Sequence, residues 1–177
     1  RISQLDPPRL ATWGWLLLRA SAAASRDNRD DDASSMLDAA AAAAERIGDR
    51  VPDAALSIGP ASIGAFCPTT VAMKRVEAAT LAGDAGRALD LAGRVQPGGR
   101  ATSNNRSRFG LDVAHAQVMQ GMHPAAIETL RGIRAQAPTW LRQQRYARDI
   151  VGEIAASRRR AMTVELAELA SFVGAPV

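Results

Sequence analysis

Apolar residues recur at intervals of three and four along most of the chain, which is the spacing of amphipathic α-helices. In the first such segment, Trp15, Leu18 and Ala22 share one predicted helix face. Valine and isoleucine are scattered and do not form the alternating runs typical of β-strands. Alanine, the residue with the highest helix propensity, is abundant throughout. The pattern predicts an all-α fold of about eight helices.

Proline, glycine and capping residues predict where these helices begin and end. Asp6 followed by Pro7 is typical of an N-cap with proline at the first helical position, and Gly48 is typical of a helix end. Residues 49–67 contain several prolines and glycines without a helical period, so they predict a long connection. We expect one domain over 1–177, with antiparallel helix pairs at about 7–47, 68–95 and 106–136 and a terminal hairpin at 141–173.

Composition and motifs exclude several classes of protein. The 177 residues, 47% of them apolar, are enough to bury a core. The single cysteine, Cys67, excludes an internal disulfide, and no signal peptide or membrane-spanning segment is visible. No catalytic motif, phosphate-binding loop or metal-ligand spacing is present. We therefore expect a cytoplasmic, non-catalytic protein without a cofactor or metal.

The net charge of +4 comes mainly from the C-terminal part of the chain. Three arginines there recur at intervals of three, which places them on one face of the helix predicted from 141, and three more lie nearby, just after that helix. Such a group can neutralise phosphates without reading a base sequence. The candidates for nucleic-acid contact are Arg142, Arg145, Arg148, Arg158, Arg159 and Arg160. The alternative interpretation of these arginines is that they form a solvated helix face.

Two of the predicted helix pairs have similar sequences, and their equivalent positions are separated by a constant number of residues. A turn glycine, an alanine five residues later and the apolar residue after it recur as Gly83, Ala88, Leu89 and as Gly121, Ala126, Ile127. A weaker copy has Asn28 at the turn and Ala33 after it. The alanine lets two helices approach closely. This pattern resembles the tetratricopeptide repeat, and it implies an array of antiparallel helix pairs. An alanine-rich helical bundle is the alternative.

Four strings, in order along the chain, resemble one family more closely: residues 11–18 (ATWGWLLL), 66–75 (FCPTTVAMKR), 111–114 (LDVA) and 165–170 (ELAELA). They are similar to the C-terminal region of actinobacterial helix-turn-helix regulators of the XRE type. In that family a DNA-binding domain precedes a tetratricopeptide-like region that senses a ligand or mediates association. The resemblance implies such a regulatory domain, with DNA bound only by a domain upstream of Arg1, and it implies a homodimer.

The tetratricopeptide resemblance also implies that the first helix of each pair lines a concave groove. When the repeat alignment is applied to the three helix pairs, it places eight residues in this groove: Trp15, Leu18, Thr70, Met73, Glu77, Arg108, Leu111 and His115. This mixed surface suits a small-molecule or peptide effector. The other interpretation of Trp15, Leu18 and Leu111 is that they are core residues. The alternative function is a protein–protein interaction scaffold that binds a peptide or partner helix in the same groove.

Overall fold

The computed structural model describes residues 6–48, 66–96, 101–157 and 163–176. Within these ranges all regular elements are helical, which confirms the predicted all-α class. Most of the predicted connection at 49–67 lies outside the described residues. The helices are α1 (Pro7–Arg26), α2 (Asp30–Ile47), α3 (Pro68–Leu81), α4 (Ala85–Gly93), α5 (Ser103–Met119), α6 (His123–Gln136), α7 (Pro138–Arg142), α8 (Arg145–Ser157) and α9 (Val164–Val173).

Side-chain caps fix several helix ends. The Asp6 carboxylate accepts a hydrogen bond from the backbone N–H of Arg9 at 3.0 Å, which confirms the predicted start of α1. Gly48 ends α2 at a positive φ of 61°, also as predicted. The Thr102 hydroxyl caps α5, so this helix begins at Ser103 and not near residue 106. These ends follow from local hydrogen bonding.

The same turn closes the three helix pairs α1–α2, α3–α4 and α5–α6. Asn28, Gly83 and Gly121 occupy it with φ of 56°, 76° and 70°, the left-handed region that favours glycine and tolerates asparagine. In each turn this residue donates its N–H to the carbonyl three positions back, and the next residue donates to the carbonyl five positions back. The sequence repeat is therefore also a repeat of backbone geometry.

The alanine that follows each turn is buried where the paired helices meet. Ala33, Ala88 and Ala126 expose 3%, 0% and 0% of their surface. A methyl side chain at this position lets the second helix approach the first closely. The repeated alanine thus has a packing role in all three pairs.

The core follows the order of the chain as three successive clusters. The first joins α1, α2 and the start of α3 around Trp15 and Phe66. The second, around Val76, joins α3, α4 and α5. The third joins α5 to the C-terminal helices around Leu130 and Leu166. Each helix pair therefore contacts mainly its neighbours in sequence.

One close contact in the first cluster depends on a glycine. The ring of Phe66, a fully buried side chain, lies against α1 at Gly14. A Cβ added to Gly14 would lie 2.1 Å from the Phe66 Cζ atom. Only glycine leaves room for this ring at this point of the helix.

The C-terminal hairpin differs from the prediction. The sequence predicts one helix from about 141, but the structure has the short helix α7 and then α8, which begins at Arg145. Pro138 begins α7, and Leu141 is fully buried and anchors it. The side-chain amide of Gln144 donates to the Trp140 carbonyl at 3.2 Å where the chain turns. This break gives nine helices among the described residues, where about eight were predicted.

Candidate functional site

Three of the predicted site residues, Glu77, Arg108 and His115, lie together across α3 and α5. Further side chains from α3, α5 and α8 complete the group. We call it the polar cluster; it consists of Lys74, Glu77, Asn105, Arg108, Asp112, His115, Tyr146 and Glu153. Since these residues come from three helices that lie far apart in sequence, only the tertiary fold brings them together.

Arg108 is the centre of the polar cluster. Its guanidinium lies 3.8 Å from Glu77 Oε1 and 3.7 Å from Asp112 Oδ1, close enough for ion pairs but too far for hydrogen bonds. The same group stacks over the Tyr146 ring, with its central carbon 4.8 Å from the ring centroid. The buried Nε–H has no hydrogen-bond acceptor among the described residues. Arg108 is thus held by charge and by contact with the Tyr146 ring, while its Nε–H donor has no acceptor among the described residues.

Two carboxylates are buried beside Arg108. The side chains of Glu77 and Asp112 are only 12% and 3% exposed, and Lys74 forms an ion pair with Glu77. Burial, followed by the negative charge of Glu77, raises the pKa of Asp112 to about 7; Arg108 and Lys74 offset this only in part. The cluster therefore contains a carboxyl group that changes its protonation near neutral pH.

Tyr146 joins α8 to the cluster. Its hydroxyl lies 3.0 Å from His115 Nδ1, and the two rings pack edge to face at 5.5 Å between centroids. On its other side His115 Nε2 lies 3.5 Å from the Glu153 carboxylate. Burial and the charge of Asp112 raise the pKa of the Tyr146 hydroxyl, which therefore remains protonated. These contacts tie α5 to α8 through polar groups.

A narrow crevice opens between α3 and α5 beside Arg108. Its volume is about 10 Å³, close to the space that one water molecule needs. Thr70 and Met73 line it but are almost completely buried, at 0% and 5% exposure. The side-chain nitrogen of Asn105, on the same crevice, is buried without a hydrogen-bond acceptor among the described residues.

The large apolar residues predicted for the groove are core residues. Trp15, Leu18 and Leu111 are 3%, 2% and 0% exposed. The Trp15 ring packs against Phe66 with 6.2 Å between centroids, and Leu111 lies in the C-terminal core cluster. Helical spacing placed them on the inner face of their helices, and that face is covered by neighbouring helices. They do not line an open surface, so the core interpretation of these three residues holds.

The predicted arginine face is divided by the break between α7 and α8. Arg142 lies on α7, whereas Arg145 and Arg148 lie on α8, so the three do not share one helix face. All three are exposed, and Arg145 lies 3.9 Å from the Asp149 carboxylate. The remaining candidates at 158–160 lie outside the described residues.

A groove that was not predicted from the sequence lies on another face of α3. Its walls are α2 and α4, and it contains two cavities of about 330 and 260 Å³ that share Arg75 and Leu91. Arg75 crosses it to form an ion pair with Asp38 of α2 at 2.6 Å. Alanines of α3 form much of its floor. No sequence signal showed this groove, because it arises from the separation of α2 and α4.

A serine and a histidine also meet at the end of α8. Ser157 Oγ lies 3.2 Å from His123 Nε2, but it donates its hydrogen to the Ile154 carbonyl at 2.8 Å. The histidine therefore donates to the serine, which is the reverse of what an activated serine nucleophile requires. Among the described residues, no group of three metal-ligating side chains is found.

No family model matches this chain, and neither a curated protein nor a solved structure matches it. The described helices contain no segment that is both long and apolar enough to cross a membrane.

Proposed function

We propose that this chain is the ligand-sensing and association domain of a cytoplasmic helix-turn-helix transcriptional regulator, without catalytic activity of its own. The polar cluster carries the proposal. Glu77, Arg108 and His115, which the tetratricopeptide resemblance assigns to the binding surface, lie together, and Arg108 has a donor group without an acceptor among the described residues. Unused buried donors are costly in a purely structural cluster and are useful where a ligand supplies the acceptor.

A tetratricopeptide-like arrangement is part of the proposal. The shared left-handed turn in the three helix pairs and the buried alanine five residues after it support it. An alanine-rich bundle would explain the burial but does not require the same turn three times. The polar residues of the first helices α3 and α5 would then form the concave side.

The position of the polar cluster suggests how binding is sensed. It joins α3, which contributes to the second core cluster, to α8, which contributes to the third, through α5, which contributes to both. A ligand that binds one arrangement of these helices more tightly than another shifts the protein toward that arrangement. The upstream DNA-binding domain would respond to this shift.

The coding sequence upstream of Arg1 tests the regulator proposal directly. We expect an in-frame helix-turn-helix domain there. A start codon next to Arg1 would contradict the proposal and would favour a free-standing interaction protein. This test is independent of any ligand.

A scaffold for a peptide or partner helix is the second candidate, and the groove between α2 and α4 favours it. This groove follows α3 from Ala82 to Pro68, which is about 21 Å at 1.5 Å per residue. A partner helix of about four turns has this length. Affinity capture from the source cells tests this candidate: one stoichiometric protein partner supports the scaffold, and its loss with Leu91→Glu locates the binding site.

We also propose that the domain forms a homodimer, as the family resemblance implies. Light scattering is expected to give twice the monomer mass of 18.7 kDa. A monomeric mass across micromolar concentrations would contradict dimerisation by this domain. Signal transmission through association would then require other parts of the protein.

A further inference from the structure

Two unused donors lie one helical turn apart on the same crevice. Asn105 and Arg108 are separated by three positions on α5, so their side chains lie on one face. The Asn105 side-chain nitrogen and Arg108 Nε are both buried, and neither has a hydrogen-bond acceptor among the described residues. Both residues line the crevice between α3 and α5. Two adjacent donors without acceptors among the described residues form a place where a bound ligand can supply the acceptor.

We propose that the polar cluster binds one carboxylate group, held by Arg108 and Asn105, and that Asp112 takes up a proton when this carboxylate binds. The proposal rests on the proposed function in one respect, since it uses the same binding site. It adds the chemical class of the ligand and a dependence on pH.

The geometry of Arg108 favours a carboxylate. The guanidinium presents a planar edge that matches the two oxygens of a carboxylate. Its central carbon lies over the Tyr146 ring, which holds the guanidinium at the mouth of the crevice, and the side chain remains 37% exposed. The crevice of about 10 Å³ accepts one oxygen atom, and the rest of the ligand remains at the surface.

The local charge explains why a proton is needed. Lys74 and Arg108 supply two positive charges, and Glu77 and Asp112 supply two negative charges when both are ionised. A bound carboxylate adds a third negative charge in a site where burial weakens solvent screening. Protonation of Asp112 restores the balance for a ligand with one negative charge. A doubly charged phosphate remains unbalanced by one charge.

The other groups around Asp112 do not remove the need for a proton when the carboxylate binds. From α8, Tyr146 stays protonated, and Glu153 adds a negative charge next to His115. From α1, the side chains that approach Lys74 and Glu77 are uncharged: Leu18, Ser21, Ala22 and Ser25. The pKa of about 7 for Asp112 places the proton uptake in the neutral range, and a bound anion raises this pKa further.

The carboxylate can come from a small metabolite or from the C-terminus of a peptide. Both present the same group to Arg108, so titrations must separate them. N-acetylglycine serves as the small carboxylate. A pentapeptide that ends in glycine with a free C-terminus serves as the peptide, and its C-terminally amidated form is the control.

Binding is measured by calorimetry and by amide chemical shifts, on the full chain, at pH 6 and pH 8 and constant ionic strength. We expect N-acetylglycine to bind about tenfold more tightly at pH 6, because only the protonated fraction of Asp112 is competent. Equal affinity for both peptide forms would overturn the proposal, as would tighter binding of inorganic phosphate at pH 8. Tighter binding of the free peptide than of N-acetylglycine supports a peptide terminus, and similar binding supports a small metabolite.

Two variants and one control substitution make the test specific. Arg108→Gln should abolish binding at both pH values, whereas Arg87→Gln, at an exposed arginine of α4 outside the cluster, should bind as the parent does. Asp112→Asn, which mimics the protonated acid, should bind at pH 8 as tightly as the parent at pH 6. Unchanged binding by Arg108→Gln, or a persistent pH effect in Asp112→Asn, would overturn the proposal. Failure here leaves the upstream DNA-binding test unaffected, so the two proposals fail separately.

Discussion

Replacing Asp112 with asparagine is expected to remove most of the pH dependence of stability between pH 4 and pH 8. Asp112 has a raised pKa of about 7 in the folded protein, against 3.8 for an ordinary aspartate. Between these values the folded state binds more protons than the unfolded state does. Raising the pH therefore favours unfolding, and the stabilising contribution of the protonated group is lost as the pH rises through 7.

The effect is large because Asp112 is almost completely buried. A shift of this size corresponds to about 2–4 kcal/mol in the free energy of unfolding over this range. Urea denaturation at several pH values measures it. Asp149→Asn, at an exposed carboxylate of α8, is the matched control and should keep the pH dependence of the parent. If Asp112→Asn retains the same dependence on pH, Asp112 is not the group that titrates.

Gly14→Ala is expected to destabilise the protein by about 3 kcal/mol, although alanine favours a helix more than glycine does. The new Cβ would overlap the ring of Phe66, which is a fully buried side chain. The overlap should therefore outweigh the gain in helix propensity, which is about 1 kcal/mol.

Gly132→Ala is the matched control for this substitution. Gly132 lies within α6, and a Cβ there meets nothing within 4 Å. The same chemical change should therefore stabilise the protein by up to about 1 kcal/mol. Thermal and urea denaturation measure both variants. Equal effects at the two positions would show that the Phe66 ring does not restrict the space at Gly14.

Local signals predicted much of the secondary structure. The pair Asp6–Pro7 predicted the start of α1, and Gly83 and Gly121 predicted two of the turns, because caps and left-handed turns depend on a few adjacent residues. The break between α7 and α8 was missed. It depends on the burial of Leu141, which helical periodicity alone does not distinguish from a place in a continuous helix.

The candidate site could be predicted only in part. The repeat alignment identified Glu77, Arg108 and His115, because corresponding positions of repeated helices share an orientation. It did not separate them from Leu111, since periodicity gives the inner face of a helix and not which part of that face remains open. Tyr146 was not identified, because its approach to Arg108 depends on how α8 packs against α5.

The position of α3 between two surfaces has a consequence for the whole molecule. One side of this helix carries Lys74 and Glu77 in the polar cluster, and another carries Arg75 in the groove formed with α2 and α4. A single rigid helix cannot move at one surface and stay fixed at the other. Two ligands that each shift α3 would therefore be thermodynamically coupled, and each would change the affinity of the other by the same factor.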